Sequence, residues 1–300
     1  MKSAVFTSLL AGLLSVSPAH AQDLPAGTLE HISQSGTIHL GYRESSAPFS
    51  YLDGQGKPIG YSIDLCLKVV DALRKQPGMP RNLSVEWVPV SSSNRIAAVQ
   101  GGRVDLECGS TTNNKERRQQ VAFAIPTFIA HTRLLVRSDS DIQSVRDLRN
   151  KNVVTTRGSS SEKLFNENNR ERALNAKLIL GQDHKESFGQ VESNQAQAFV
   201  MDDVLLYTLR ATSSQPANYR ITGEKLSIEP LALMLRKDDP GFKKVVDGEI
   251  RRLIQQGEIY ALYQRWFQTP IPPKGLNLEL PMSYLLRDSF KAPSDWVPDY

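Results

Sequence analysis

Residues 91–118, S-S-S-N-R-I-A-A-V-Q-G-G-R-V-D-L-E-C-G-S-T-T-N-N-K-E-R-R, gather hydroxyls, backbone N–H groups and permanent cations around one short apolar strand. Val104, Leu106 and Cys108 alternate with Asp105 and Glu107, and Gly109 ends the alternation in a polar turn of Ser110, Thr111 and Thr112. Donors at the carboxyl end of a strand suit an anion, because ligands of open α/β sheets sit in the crevice outside those ends. Arg95 before the strand and Arg117 after it supply two cations for such an anion. A solvated loop between two surface arginines explains the same residues, so the elements around them have to decide.

Those elements alternate. Residues 37–42 form a period-2 strand, and 43–51 follow as a loop in which Pro48 discourages helix. Asp53-Gly54-Gln55-Gly56 is a turn, and Ser62 or Asp64 can cap a helix running to about residue 75, with Ile63, Leu67, Val70 and Leu73 on one face. Residues 84–90 and 104–108 are further strands, separated by a short helix at 94–100. A second cycle begins after Pro126: strands at 133–137, 153–156, 177–180 and 198–201, with helices opening at Gly158-Ser159-Ser160-Ser161-Glu162 and at Asp183-His184. A late strand at 231–236 precedes helices at 240–257 and 258–267, broken at Gly257, and the proline-rich tail 269–300 wraps the surface. Strands alternating with helices imply βαβ units and mainly parallel sheets. The expected fold is α/β with two lobes: 22–130 together with 231–300 as the first and 131–230 as the second, joined by two crossover segments near 128–133 and 229–233.

The chain has 300 residues, 40% hydrophobic and 23% charged, enough for two compact units. Residues 1–21 carry the marks of a cleaved signal peptide: Lys2, an apolar run over 4–16, and the small-x-small site Ala19-His20-Ala21. Processing would leave a chain starting near Gln22, soluble and exported to a periplasm. No cysteine follows the cleavage site to take a lipid. The formal charge of +4, with no basic stripe interleaved with aromatics, argues against nucleic acid as a partner. Cys66 and Cys108 are the only cysteines and offer no C-x-x-C metal pair. An oxidising compartment permits a bridge between them, and two buried thiols fit equally well.

Seven segments in order, G-Y-R-E-S-S-A-P-F-S-Y (41–51), S-S-S-N-R (91–95), E-C-G-S-T-T-N-N-K-E-R-R (107–118), D-H (183–184), M-D-D (201–203), L-R-K-D-D-P (235–240) and P-I-P-P-K (270–274), resemble the periplasmic glutamate/aspartate-binding proteins of ABC transporters. The resemblance spans essentially all of the processed chain. It implies a type II periplasmic-binding fold, a monomeric receptor that closes on one amino acid between two lobes, and a membrane permease as partner; no cofactor is implied. By the same resemblance Arg117, Thr112 and Ser160 hold the ligand α-carboxylate, Ser110 and Asp202 take the α-ammonium, and Arg43, Ser92, Arg95 and His184 surround the distal carboxylate. Ser160 stands where threonine is usual in that family. The cysteine expected near Leu233 is absent, so no disulfide pairing carries over.

The chemistry of the residues agrees. A dicarboxylic amino acid brings two anions and one cation, each of which needs a partner in a dry cleft. Three arginines, a histidine and an aspartate supply them, and arginine's planar fork grips carboxylate while staying charged. Singly, each residue has a plainer explanation: surface arginines, Asp202 or Asp203 capping the helix that follows, His184 packing or capping. The competing function is an enzyme on the same fold, a cyclohexadienyl dehydratase, which would need a general acid from Glu44, Glu107 or Glu162.

Overall fold

The structure, a computed structural model, describes residues 27–298. The signal segment expected at 1–21 lies outside the described residues. From the start, α1 (Thr28–Ser35) leads into β1 (Thr37–Tyr42), a small antiparallel sheet of β2 (Ser45–Ser46), β3 (Ser50–Leu52) and β4 (Pro58–Ile59), then α2 (Tyr61–Leu73) and β5 (Ser84–Pro89). Next come α3 (Arg95–Gln100), β6 (Leu106–Glu107), α4 (Lys115–Arg118), β7 (Val121–Phe123) and β8 (Phe128–Ala130). The second cycle runs β9 (Thr132–Arg137), β10 (Asn152–Thr156), α5 (Ser160–Glu171), β11 (Lys177–Gly181), α6 (His184–Glu192), β12 (Ala198–Asp202), α7 (Asp203–Thr212) and β13 (Tyr219–Thr222). The chain then passes through β14 (Glu229–Leu231) and β15 (Met234–Arg236) to α8 (Pro240–Gln255), α9 (Glu258–Phe267) and α10 (Tyr284–Ser289).

Two five-stranded sheets result, in the orders β5-β1-β6-β15-β7 and β11-β10-β12-β9-β13. In each, the first strand of a βαβαβ run lies between the second and the third, so the order reverses at β1 in one sheet and at β10 in the other. At those reversals the carboxyl ends of the strands open a crevice. The mainly parallel sheets expected have parallel pairing in β5-β1-β6 and β11-β10-β12, while β15 pairs antiparallel with β6 and β7, and β9 with β12 and β13. A separate antiparallel ladder of β8 with β14 carries the chain between the sheets at both crossovers. Central strands are buried on both faces, as in the Ala-Phe-Val-Met-Asp run of β12, whereas β5 is an exposed edge.

Several expectations are corrected. The run 231–236 is two strands, because the chain leaves the crossover ladder after Leu231 and joins the first sheet at Met234. The strand expected at 104–108 is only Leu106–Glu107, and the loop 43–51 folds into the β2–β3 hairpin. Helix α2 is capped by neither Ser62 nor Asp64: Ser62 Oγ donates to the Gly109 carbonyl at 2.7 Å and Asp64 accepts from Trp266 Nε1 at 2.7 Å. It stops at Leu73, and Leu67 lies on its outer side, 37% exposed, while Cys66 and Val69 join Ile63, Val70 and Leu73 in the core. Cys66 and Cys108 are bridged, tying α2 to the end of β6. Five rings, Phe49, Tyr61, Phe128, Tyr263 and Phe267, pack edge and face with centroids 4.4–6.4 Å apart, and so anchor β8 to the first lobe.

Candidate functional site

Each expected residue follows the carboxyl end of a parallel strand or opens the helix after it. Arg43 follows β1, Ser92 and Arg95 follow β5, and Ser110 and Thr112 follow β6; on the other lobe Ser160 follows β10, His184 follows β11, and Asp202 ends β12. Caps at helix starts set several of these directions. Asn114 Oδ1 accepts from the backbone N–H of Arg117 at 3.0 Å, which fixes α4 and its arginine; Asp183 Oδ1 caps α6 through the Glu186 N–H at 2.8 Å, leaving His184 to point inward. Asp203, not Asp202, accepts from the Val204 N–H at 2.8 Å, so the Asp202 carboxylate is not used as a cap.

All nine residues converge between the lobes. Arg43 donates to Ser92 Oγ at 2.7 Å and its guanidinium lies 3.5 Å from His184 Nε2. Thr112 Oγ1 is 3.3 Å from Ser160 Oγ, and Arg117 donates to the carbonyls of Thr112 at 3.0 Å and Gly158 at 3.3 Å. Outside the site, Lys163 pairs with Glu116 at 2.5 Å across the same gap. The lobes are therefore in contact. Gly158 shows how close: a Cβ there would stand 2.6 Å from Ser93 Cα, and its φ of +76° already favours glycine. Eight of the nine are buried, including Arg43, Arg95 and Arg117; Ser160 is half-buried.

Buried polar groups are nearly always hydrogen-bonded. Here Arg43 Nη1, Arg95 Nε, Ser110 Oγ, Asp202 Oδ1 and Glu107 Oε1 have no partner among the described residues. The electrostatics has a sign at each end. Burial, then Arg117 and Arg43, pushes Arg95 well below the ordinary guanidinium range, and burial likewise lowers Arg43. Burial, then Arg43 and Arg95, holds the His184 imidazole well below its usual 6.5. These three groups would each be relieved by an anion. At the opposite end burial, then Glu229 and Asp203, lifts Asp202 well above the usual carboxylate value, and a cation would relieve it.

Two carboxylates join the nine: Glu229, which the motifs did not contain, and Glu107, expected only as a candidate acid for an enzyme. Glu229, on β14, accepts from Ser160 Oγ at 2.9 Å, Ser227 Oγ at 2.5 Å and Thr132 Oγ1 at 3.4 Å, so it links a crossover strand to the start of α5. Glu107, fully buried at the end of β6, accepts from Thr111 Oγ1 at 2.7 Å. Thr156 was also missed; its hydroxyl lies 2.8 Å from His184 Nδ1 and fixes the ring. Of the candidate acids for an enzyme, Glu162 accepts from the Gly158 N–H at 2.6 Å as part of the α5 start, and Glu44 lines a different cavity. That cavity, about 440 Å³ between the β2–β3 hairpin, α6, α7 and residues 271–276, contains none of the three arginines.

Residues 38–269 match the family described as bacterial extracellular solute-binding proteins, family 3. An L-glutamate/L-aspartate-binding protein of Pseudomonas aeruginosa is 47% identical over 294 residues, 98% of this chain and 96% of that protein. A glutamate/aspartate import solute-binding protein of Escherichia coli is 44% identical over 292 residues, covering 96% of each. Among solved structures, the cysteine-binding protein of Campylobacter jejuni superposes with a TM-score of 0.72 at 25% identity, covering 80% of this chain and 92% of that one.

Proposed function

The chain belongs to the bacterial extracellular solute-binding proteins, family 3, and from that premise we propose that it captures glutamate or aspartate between its lobes and delivers it to the membrane permease of an ABC importer in the periplasm. It binds and releases its ligand unchanged. The observation that carries the reading is the set of buried groups without partners: guanidinium N–H donors of Arg43 and Arg95 at one end and a bare Asp202 oxygen at the other. An acidic amino acid has that polarity, a carboxylate at the far end and an ammonium at the head. The division of the chain into 22–130 with 231–300 and 131–230 is part of the proposal.

Within it, Arg117, Thr112 and Ser160 take the α-carboxylate. Their mutual contacts at about 3 Å support this grouping. Ser110 and Asp202 take the ammonium, and Arg43, Ser92, Arg95 and His184 take the distal carboxylate. Glutamine lacks the second anion and would leave Arg43 and Arg95 buried without a counter-charge, which costs at least ~3 kcal/mol. Calorimetric titration of ligand-stripped protein tests this. Glutamate or aspartate should bind at least about a hundredfold more tightly than glutamine or asparagine. Comparable affinity for glutamine would sink the assignment.

A further inference from the structure

We propose that the first lobe carries a divalent transition-metal site of the zinc class, built from His31 on α1, His39 on β1 and Asp105 just before β6, and distinct from the amino-acid site. One ring nitrogen of each histidine and a carboxylate oxygen of Asp105 lie within 4.8 Å of one another. One edge, His39 Nδ1 to Asp105 Oδ2, is already 3.2 Å. A tetrahedral ion with bonds near 2.1 Å needs its ligand atoms about 3.4 Å apart, so binding would draw the two histidine rings, now stacked with centroids 6.0 Å apart, toward Asp105. The donor set of two imidazoles and one carboxylate is a zinc set with a fourth position open to water. Beside Asp105 and His31, a cavity of about 120 Å³ gives that position room and an entry path.

His39 is held on both ring nitrogens. Its Nε2 lies 3.3 Å from Glu86 Oε2, its neighbour across the β1–β5 ladder, while Nδ1 faces Asp105. With Nε2 turned to Glu86, Nδ1 is the ring nitrogen that stands beside the Asp105 carboxylate, where an ion shared with His31 would sit. Asp105 Oδ2 also accepts from the His39 backbone N–H at 2.8 Å, which fixes that oxygen beside Nδ1. A metal ion also uses the His31 nitrogen, and it turns Glu86 into the carboxylate that orients a metal-bound histidine, a recurrent arrangement at zinc sites. Arg236, which borders the cavity, is paired with Asp239 at 3.2 Å. His39 precedes Arg43 by four residues of extended chain, about 13 Å, so the two sites occupy opposite ends of the same strands.

The test is calorimetric titration of zinc into chelator-stripped protein at neutral pH, with thermal melting alongside. One equivalent should bind with micromolar or tighter affinity and raise the melting temperature. His31→Ala should weaken binding by at least tenfold and abolish the melting shift, Asp105→Asn should do likewise, and Glu86→Gln should cost about tenfold. His131→Ala, which alters a histidine paired with Asp203 elsewhere, should change neither readout. The absence of saturable binding up to about 1 mM zinc overturns the proposal, as does full binding by a folded His31→Ala variant.

Discussion

Arg95 occupies a position that an isolated chain would avoid. It opens α3, where the helix end is electropositive, it is 2% exposed, and Arg117 and Arg43 add to the repulsion. A guanidinium does not shed its proton to escape, so an anion has to offset the cost. Arg95→Ala should therefore erase the preference for glutamate over glutamine. Asp202→Ala should lose recognition of the ammonium, with a loss of about 3 to 5 kcal/mol, or two to four decades in Kd. Titration of both variants against both ligands checks this, and undiminished preference in Arg95→Ala would contradict it. His184 adds a pH signature. Its imidazole is held low in the free protein, and a ligand carboxylate raises it, so binding takes up a proton; that contribution is full below the free-state pKa and lost as pH rises through the bound-state pKa. Asp202 acts oppositely: it is held high in the free protein, an ammonium lowers it, and binding releases a proton. His184→Gln removes only the first effect, so from pH 7.5 to 5.5 its affinity should decline more steeply than the parent's. Parallel profiles would make His184 structural.

Strands β6 and β14 show how much element-scale organisation the residues reveal. The alternation at 37–42 and the helix at 258–267 match their observed bounds, because a one-sided apolar pattern fixes both type and length. The run Leu231–Arg236 could not be divided from pattern alone, since every position up to Leu235 is apolar and buried on both sides of the break. Glu229 was invisible as a site residue for a related reason: its importance lies in being 4% exposed among Ser160, Thr132 and Ser227, partners 2 to 97 positions away. The Cys66–Cys108 pairing likewise depends on a Cα separation of 6.1 Å that spacing cannot supply. At a sequence separation of 42, the chain-entropy relation gives about 4 kcal/mol of stabilisation. Chemical denaturation of a Cys66→Ser/Cys108→Ser variant should show a loss of that order, together with weaker glutamate binding, because β6 delivers Ser110 and Thr112. A variant as stable as the parent would mean that packing of α2 alone holds β6.

Across the described residues, two sheets of the same strand order turn their carboxyl strand ends toward each other, and the β8–β14 ladder crosses between them. The nine residues that the resemblance assigned follow the strand ends at that gap, since a motif at a strand end inherits its place from the topology. What the motifs did not contain was the full balance of charge: Glu229 lies outside them, and the burial of Glu107 beside the three arginines is a matter of the fold. Arg43, Arg95, Ser110 and Arg117 belong to one side, and Ser160, His184 and Asp202 to the other. A ligand that pairs with both sides stabilises the closed form through contacts missing when the lobes part. Small-angle scattering of ligand-stripped protein, recorded with and without saturating glutamate and again with glutamine at equal concentration, tests that claim directly. Compaction with glutamate, little change with glutamine, and recovery of one equivalent of unaltered glutamate are the expected result. Scattering unchanged by glutamate, or an equal response to glutamine, would contradict it.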